Sequence, residues 1–365
     1  MVVESPGTCD GELIRTVTQF AGRSQREVAR CFFQAPGELV GGLDRETAEG
    51  FARTLSEAGA RARVLDPEAG FEPGVGEWEA AVVVRDLDRI PGALHEVVRL
   101  LQVPPEEGIE ILCRTPAVLM GSLSWAAAEA IQRRFATAGA EVDLSRPEQA
   151  IYDLYVDAGS EADRRRVETL LDRSSSDVTL AEGVEGAAGM VASGLRWSDL
   201  EPIRDELLRH ASGVKVLNRD FARFDLTLTA VGARPEAVTE YLAEELGLPR
   251  RILPRMLEAL PVVVAGNVRA EEAERRLPAL EARGASATAN LLSWRSFSLV
   301  LRDVGDRERA EEVLRLLNGL SREDARVRLA ERPPVTFPGP FGLLRARWLQ
   351  RELGKVGAEV ELKVS

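Results

Sequence analysis

Histidine and cysteine build many catalytic and metal sites, and this chain of 365 residues has two histidines and three cysteines. His95 and His210 each lie on a predicted helix, with no second histidine or cysteine nearby in the sequence. Cys9, Cys31 and Cys113 lack the paired spacing of a zinc site or of a disulfide framework. We therefore expect reduced thiols, and no histidine acting as a general base or metal ligand.

Other chemistry-bearing patterns are also missing from the sequence. It contains no phosphate-binding glycine loop, no nucleophile elbow and no CxxC pair. Neighbouring carboxylates such as Glu271 with Glu272, and Glu311 with Glu312, lie on predicted amphipathic helices, where a solvated helix face explains them. The sequence predicts no catalytic residue, no cofactor and no metal site, and it indicates a protein that is not an enzyme.

Composition narrows the class of partner. Hydrophobic residues make up 45% and charged residues 29%, which is typical of a soluble globular chain. No apolar run approaches the length of a membrane span, and the N-terminus lacks a secretory pattern, so we expect a cytoplasmic protein. Nearly all basic residues are arginine, as in proteins of GC-rich bacterial genomes. The net charge of −12 argues against general nucleic-acid binding and leaves protein partners of unknown identity.

Three markers recur along the chain with nearly the same period. A helix that ends in a glycine turn and leads to a strand occurs five times, at Gly59, Gly139, Gly213, Gly284 and Gly357. An apolar residue after a small-residue turn, called the apolar marker below, recurs at positions 43, 123, 195, 268 and 341. A proline precedes that marker by seven residues in four copies, at Pro36, Pro116, Pro261 and Pro334. The markers predict five tandem repeats of about 73 residues.

The fourth repeat shows the element order most clearly. Residues 224–230 alternate as a strand, and residues 235–246 have helical spacing. A second helix over 249–259, with a kink or a break at Pro254, precedes a short strand over 262–265. A third helix over 269–283 and a weak strand over 285–289 complete the repeat. The predicted order is β-α-α-β-α-β.

The predicted fold class is α+β, a tandem array of about five small two-layer units with three strands and three helices each. We place the units at residues 1–68, 77–146, 149–219, 221–290 and 294–365. The first is abbreviated, with only Val2 and Val3 left for its first strand, and the third has drifted. Each unit should chiefly contact its neighbours in sequence, giving an elongated or curved array.

The fifth unit resembles the C-terminal domain of the bacterial ribosomal stalk protein, whose fold is shared with the substrate adaptor of the Clp protease. The resemblance rests on the stretches Ser296-Phe-Ser-Leu-Val-Leu-Arg302 and Val356-Gly-Ala-Glu-Val-Glu-Leu-Lys363, and on Gly319, Leu320, Ala325, Arg326, Leu329 and Pro333 between them. It implies a basic and apolar surface on the first two helices that binds translation GTPases. Glu312 and Glu323 stand where the family has lysines.

The candidate partner-binding residues follow from that resemblance. They are Arg250, Arg251 and Arg255 in the fourth unit, beside Met256 and Leu257, and Arg315, Arg322 and Arg326 in the fifth. Trp125 and Trp197, each two residues after the apolar marker, are expected to pack between units or to anchor a partner.

The favoured function is a non-catalytic protein-interaction scaffold or adaptor. A ribosome- or translation-GTPase-associated factor, an enzyme with a site at a groove between units, and a self-assembling protein remain alternatives.

Overall fold

The computed structural model describes residues 1–66, 69–156, 161–174, 189–210 and 213–364. Within them the chain is an α+β protein with five three-stranded antiparallel sheets, each packed with helices. No described helix is long and apolar enough to cross a membrane.

Each sheet forms from one repeat. The first repeat contains β1 (Val2–Ser5), α1 (Gly11–Ala21), α2 (Gln25–Phe33), β2 (Gly37–Glu38), α3 (Arg45–Glu57) and β3 (Arg61–Arg63). The second contains β4 (Trp78–Val83), α4 (Ile90–Leu101), α5 (Pro105–Leu112), β5 (Ala117–Leu123), α6 (Trp125–Thr137) and β6 (Glu141–Ser145). The third contains β7 (Ile151–Val156), α7 (Glu161–Ser174), β8 (Met190–Arg196), α8 (Trp197–His210) and β9 (Val214–Asn218).

The fourth repeat contains β10 (Arg223–Ala230), α9 (Pro235–Glu244), α10 (Leu253–Glu258), β11 (Val262–Arg269), α11 (Ala270–Glu281) and β12 (Ser286–Leu291). The fifth contains β13 (Phe297–Asp303), α12 (Arg307–Asn318), α13 (Arg322–Ala330), β14 (Val335–Phe341), α14 (Leu343–Lys355) and β15 (Glu359–Val364). Every sheet has the repeat's first strand in the centre and its second and third strands at the edges.

The first and fourth repeats differ in detail from the sequence-based expectation. The first repeat has all six elements, with a first strand of four residues. In the fourth repeat the predicted helix over 249–259 is broken and not kinked, because α10 begins at Leu253 and Pro254 lies in its first turn, where its missing amide donor costs nothing. Both outer strands of that repeat are longer than the alternating pattern indicated.

In the second to fifth repeats the apolar marker lies beside a β-bulge in the second strand, whereas in the first repeat Leu43 lies outside β2 and is 40% exposed. Pairing with the central strand shifts register there, and Ser122, Gly194 and Asn267 adopt φ of 56°, 76° and 55°. The extra residue turns the next side chain back into the core, which is why an apolar residue recurs at that position. In repeats two to five the marker residue pairs with an aromatic residue of the central strand, namely Trp78, Tyr152, Phe224 and Phe297. The recurring proline follows a cis peptide bond in all four copies.

A buried aspartate ties the bulge to the central strand in the third and fourth repeats. The Asp225 carboxylate accepts a hydrogen bond from the backbone amide of Asn267 at 3.0 Å and forms an ion pair with Arg295 at 2.9 Å. Asp153 does the same with the Gly194 amide at 3.2 Å and with Arg219 at 2.8 Å. Each arginine follows the third strand, so the tie also holds the chain that leaves the repeat.

In the first, fourth and fifth repeats two turns approach so closely that only glycine fits at the first of them. A Cβ on Gly232, whose φ is +61°, would lie 1.9 Å from the Gly284 carbonyl oxygen. Gly7 with Gly59, and Gly305 with Gly357, form the same contact, and the partners are 52 residues apart in all three repeats. The turn after the first strand therefore rests on the turn that ends the third helix.

The repeats group into two compact units. One comprises Met1–Pro147 with Ser296–Ser365, and the other comprises Glu148–Arg295. In the first unit a single apolar core contains Leu112 and Leu123 of the second repeat together with Leu314 and Leu349 of the fifth. The expectation that each repeat chiefly contacts its sequence neighbours is therefore wrong for the fifth repeat, because its apolar surface joins that of the second.

Ion pairs surround that shared core. Arg345 of α14 lies 2.7 Å from Glu110 of α5, and Arg351 lies 2.8 Å from Asp88. In the other unit the third and fourth repeats share a smaller cluster, which includes Tyr155, Leu217, Ala270 and Leu291.

Arg134 joins the first repeat to the second. Its side chain is 6% exposed, forms an ion pair with Glu96 of its own repeat, and donates a hydrogen bond at 2.8 Å to the Cys9 carbonyl. A second ion pair, Arg99 with Asp10 at 2.5 Å, lies on the same boundary. A buried guanidinium that serves two repeats is costly to remove, because its carboxylate partner stays behind without a counter-charge.

Replacing Gly232 by alanine should lower the stability of the fourth repeat by more than the roughly 1 kcal/mol of an unfavourable φ alone, since the turn must also move. Gly247→Ala is the matched control, because Gly247 has φ of +68° and open space around its Cβ position. Thermal unfolding of both full-length variants checks this, and equal losses of stability would contradict the close-contact explanation.

Arg134→Met should destabilise the unit formed by residues 1–147 and 296–365 by about 3 kcal/mol, because Glu96 loses its buried partner. The neighbouring Arg133→Met is the control. Arg133 is 59% exposed and pairs with Glu129 on the helix surface, so its loss should cost less than about 0.5 kcal/mol. Denaturant unfolding followed by circular dichroism measures the difference. An equally mild Arg134 variant would show that the buried pair does not support this boundary.

Candidate partner-binding surface

The chemistry-bearing side chains do not converge in the described part of the chain. His95 is exposed on α4, and the side chain of His210 lies outside the described residues. Among the residues that the structure describes, no three histidine, cysteine or acidic side chains are placed to hold a metal ion. Cys9, Cys31 and Cys113 are free and buried. Burial raises the pKa of the Cys9 thiol to about 12 and also raises the pKa of Cys31 and Cys113, so these thiols stay protonated at neutral pH.

The predicted arginines of the fourth repeat lie together on one short segment. Arg250 and Arg251 precede α10, Arg255 lies within it, and all three are exposed. Arg250 pairs with Glu244 at the end of α9 at 2.9 Å. Arg251 and Arg255 form no ion pair with any described residue. The two guanidinium groups are thus available to a partner carboxylate without first breaking a contact within the chain.

An apolar side chain lies between those arginines. Ile252 is 39% exposed, whereas the adjacent Leu253 is fully buried and anchors α10 to the core. Met256 and Leu257 are half-buried against the same core. The surface formed by Arg250, Arg251, Ile252 and Arg255 is called the α10 face below. It combines positive charge with one large apolar side chain, Ile252, in place of Met256 and Leu257, which the sequence had indicated beside these arginines.

The predicted arginines of the fifth repeat behave differently. Arg322 and Arg326, one turn apart on α13, donate to the two carboxylate oxygens of Glu311 on α12 at 2.7 and 2.8 Å. Glu311 is 7% exposed, so its interpretation as part of a solvated helix face is wrong. The i, i+4 spacing of the two arginines was a signal that both could reach one carboxylate on the neighbouring helix.

Arg315 remains outside that network. It is exposed on α12 and forms no ion pair within the described residues, and the adjacent Leu316 is 44% exposed. On α13, Val327 is 60% exposed beside Arg326. Residues 294–365 contain 14 basic and 11 acidic side chains, a net charge of +3 in a chain whose net charge is −12. The fifth repeat is therefore the basic part of an acidic protein.

In the unit formed by residues 1–147 and 296–365, the first two helices of repeats one and two partly pack against neighbouring repeats. In the first unit α1 of repeat one contacts α4 of repeat two, and α5 of repeat two contacts α12 of repeat five. The positions that the resemblance assigns to partner binding thus serve as repeat boundaries in repeats one and two, and α12 serves as one in repeat five.

Trp125 and Trp197 each contact a tilted aromatic ring of their own repeat. The ring centres of Trp125 and Trp78 are 4.9 Å apart. The guanidinium carbon of Arg146 lies over the Trp78 ring, 4.5 Å from its centre. Trp197 lies 5.7 Å from Tyr152, the residue equivalent to Trp78. The aromatic ring contacts of both tryptophans therefore lie within a repeat, and not between units as expected. Trp125 remains 53% exposed.

Replacing Glu311 by glutamine should weaken the α12–α13 contact at neutral pH. Hydrogen bonds from Arg322 and Arg326 lower the pKa of Glu311 below its ordinary value of 4.5. A lowered folded-state pKa stabilises the protein above the unfolded-state pKa, and the effect is lost as the pH falls through the folded-state value. The wild type should thus melt higher than Glu311→Gln at pH 7, and the gap should close below pH 4.5. A gap that persists in acid would contradict this origin.

No protein-family model, curated protein or solved structure matches the chain. The likeness to the ribosomal stalk domain therefore rests on the residue pattern, and the functional conclusion rests on the geometry of the α10 face and of its counterpart in the fifth repeat.

Proposed function

We propose that this chain is a non-catalytic interaction scaffold that binds protein partners through the first two helices of its fourth and fifth repeats. The observation that carries the proposal is the α10 face, where Arg251 and Arg255 are exposed, form no ion pair with the described part of the chain, and flank the half-exposed Ile252. Arginine beside an apolar anchor is the composition of interface hot spots.

Charge complementarity indicates an acidic partner surface. Free guanidinium groups on a protein of net negative charge concentrate positive potential locally, which steers a negatively charged patch to this site and speeds association. The fifth repeat adds a second basic face that includes Arg315 and Leu316. Two weak sites on one chain raise the overall affinity for a partner that engages both, because the second contact forms at high effective concentration.

A translation-GTPase-associated factor is the second candidate function. The observation that favours it is the location of both faces on the first two helices of a unit that resembles the ribosomal stalk domain. Arg251 and Arg326 occupy positions where that family has basic residues. The two candidates differ in the identity of the partner and share the same surface.

Affinity capture with the purified full-length chain separates these possibilities. Arg251→Glu combined with Arg255→Glu should reduce the retention of true partners about tenfold, the effect of losing roughly 1.4 kcal/mol of binding free energy. Arg275→Glu, an exposed reversal on α11 of the same repeat, is the control and should retain them.

Proteins lost from the first variant and kept by the second are partners of the α10 face, and mass spectrometry identifies them. Translation GTPases in that set would support the second candidate, and their absence would remove it. Equal retention by wild type and both variants would refute the α10 face as a binding surface. Captured proteins should also elute at moderate salt, because the contact depends on exposed charges.

A further inference from the structure

The edges of the five sheets are protected to different degrees. An edge strand exposes backbone donors and acceptors that another strand can pair with, and proteins normally block them with bulges, prolines or charges. The second strands follow this rule. Register shifts interrupt β5, β8 and β11, and β14 contains Pro338 and Pro340.

Most third strands are blocked by side chains. Gln132 of α6 donates to the outward-facing Val142 carbonyl of β6 at 3.0 Å, and Gln350 of α14 does the same to Val360 of β15 at 2.9 Å. Both strands also carry charged residues, as do β3 with Arg61 and β9 with Lys215.

The third strand of the fourth repeat, β12, lacks these side chains, and its pairing with β10 shifts register only at its first residue, between Ser286 and Ala287. Its six residues, Ser-Ala-Thr-Ala-Asn-Leu, include no charge and no proline. Gln132 and Gln350 each lie nine residues after the apolar marker of their repeat. The equivalent residue of the fourth repeat is Leu277, whose side chain cannot donate a hydrogen bond to the strand. Because β12 pairs only with β10, its other side has no strand partner among the described residues.

The register shows which residues face outward. Ala287 of β12 pairs with Leu228, and Val360 of β15 pairs with Leu301. Leu228 and Leu301 hold equivalent positions in their central strands, so Ala287 is the equivalent of Val360. The Val360 carbonyl faces outward because it accepts the Gln350 amide. The backbone groups of Ala287, and of Ala289 two residues on, therefore lie on the open edge of β12.

We propose that β12 is a self-association edge that pairs antiparallel with β12 of a second copy of this chain. The twofold axis passes beside Thr288, so that Thr288 faces its own counterpart, Ala287 faces Ala289, and Ser286 faces Asn290. Every pair matches small with small or polar with polar, and no like charges meet. The Ala287–Ala289 pairs are the hydrogen-bonded ones.

The observations favour a second copy over a foreign strand. Ala287 and Ala289 offer no pocket and no charge with which to select an unrelated sequence, whereas the strand is complementary to itself at each paired position. The pairing is isologous and closed, so it stops at a dimer with a six-stranded sheet. The proposal does not depend on the α10 face, and either can fail alone.

Disulfide trapping tests the pairing in the full-length chain. In a directly opposed, non-hydrogen-bonded pair the Cα atoms are roughly 4.5 Å apart, which a disulfide can bridge. Thr288→Cys should form a covalent dimer under mild oxidation at least tenfold faster than Thr229→Cys. Thr229 is exposed on central strand β10 and would lie roughly 18 Å from its counterpart, because the two residues are three strand spacings apart and also offset by about three residues along the strands. The native cysteines are buried, which limits their background.

Sedimentation equilibrium of the wild type should show a mass rising from 39.8 kDa towards twice that value with concentration. Thr288→Lys should abolish the rise through charge repulsion at the twofold axis, while Thr229→Lys should preserve it. Circular dichroism melts verify that both variants fold. A wild type that stays monomeric, with equal cross-linking of Thr288→Cys and Thr229→Cys, would overturn the proposal and leave the edge to a foreign strand or to solvent.

Discussion

The apolar core shared by the second and fifth repeats is the interaction on which the larger unit depends. A repeat of this size buries too little apolar surface to be more than marginally stable alone. Its sheet carries helices that themselves expose apolar side chains on their outer sides, and these must be covered. Here the covering comes from a repeat that lies far away in sequence, and the ion pairs of Arg345 and Arg351 surround the contact.

That packing makes the five repeats unequal in which helices stay exposed. Copies of one fold expose equivalent faces until some are used as boundaries. In repeats one and two the first helices serve as such boundaries, whereas the α10 face of repeat four keeps free arginines beside Ile252. Repeat five lies between these cases, because Glu311 engages two of its three predicted arginines.

The features that recur in sequence correspond to local backbone requirements. In the second to fourth repeats the apolar marker follows a bulge with a left-handed residue, and the glycine marker includes positions such as Gly284 that lie at φ of +83°. Such requirements act within a few residues, so they appear as spacing and are readable from one chain. The contact between Gly232 and Gly284 also recurs, but its two halves are 52 residues apart, so no single local pattern displays it.

The amino-acid sequence by itself determined the repeat, its α+β element order and the positions of the exposed arginines, because periodicity and turn chemistry are local. Only the tertiary structure decided that the fifth repeat joins the second, that Glu311 is a buried partner of Arg322 and Arg326, and that Trp125 stacks on Trp78. Each of these contacts depends on which two amphipathic faces pack against each other. Helical spacing identifies an apolar or charged face but not its partner, since many faces satisfy the same burial requirement and the best-packed combination is a property of the whole chain.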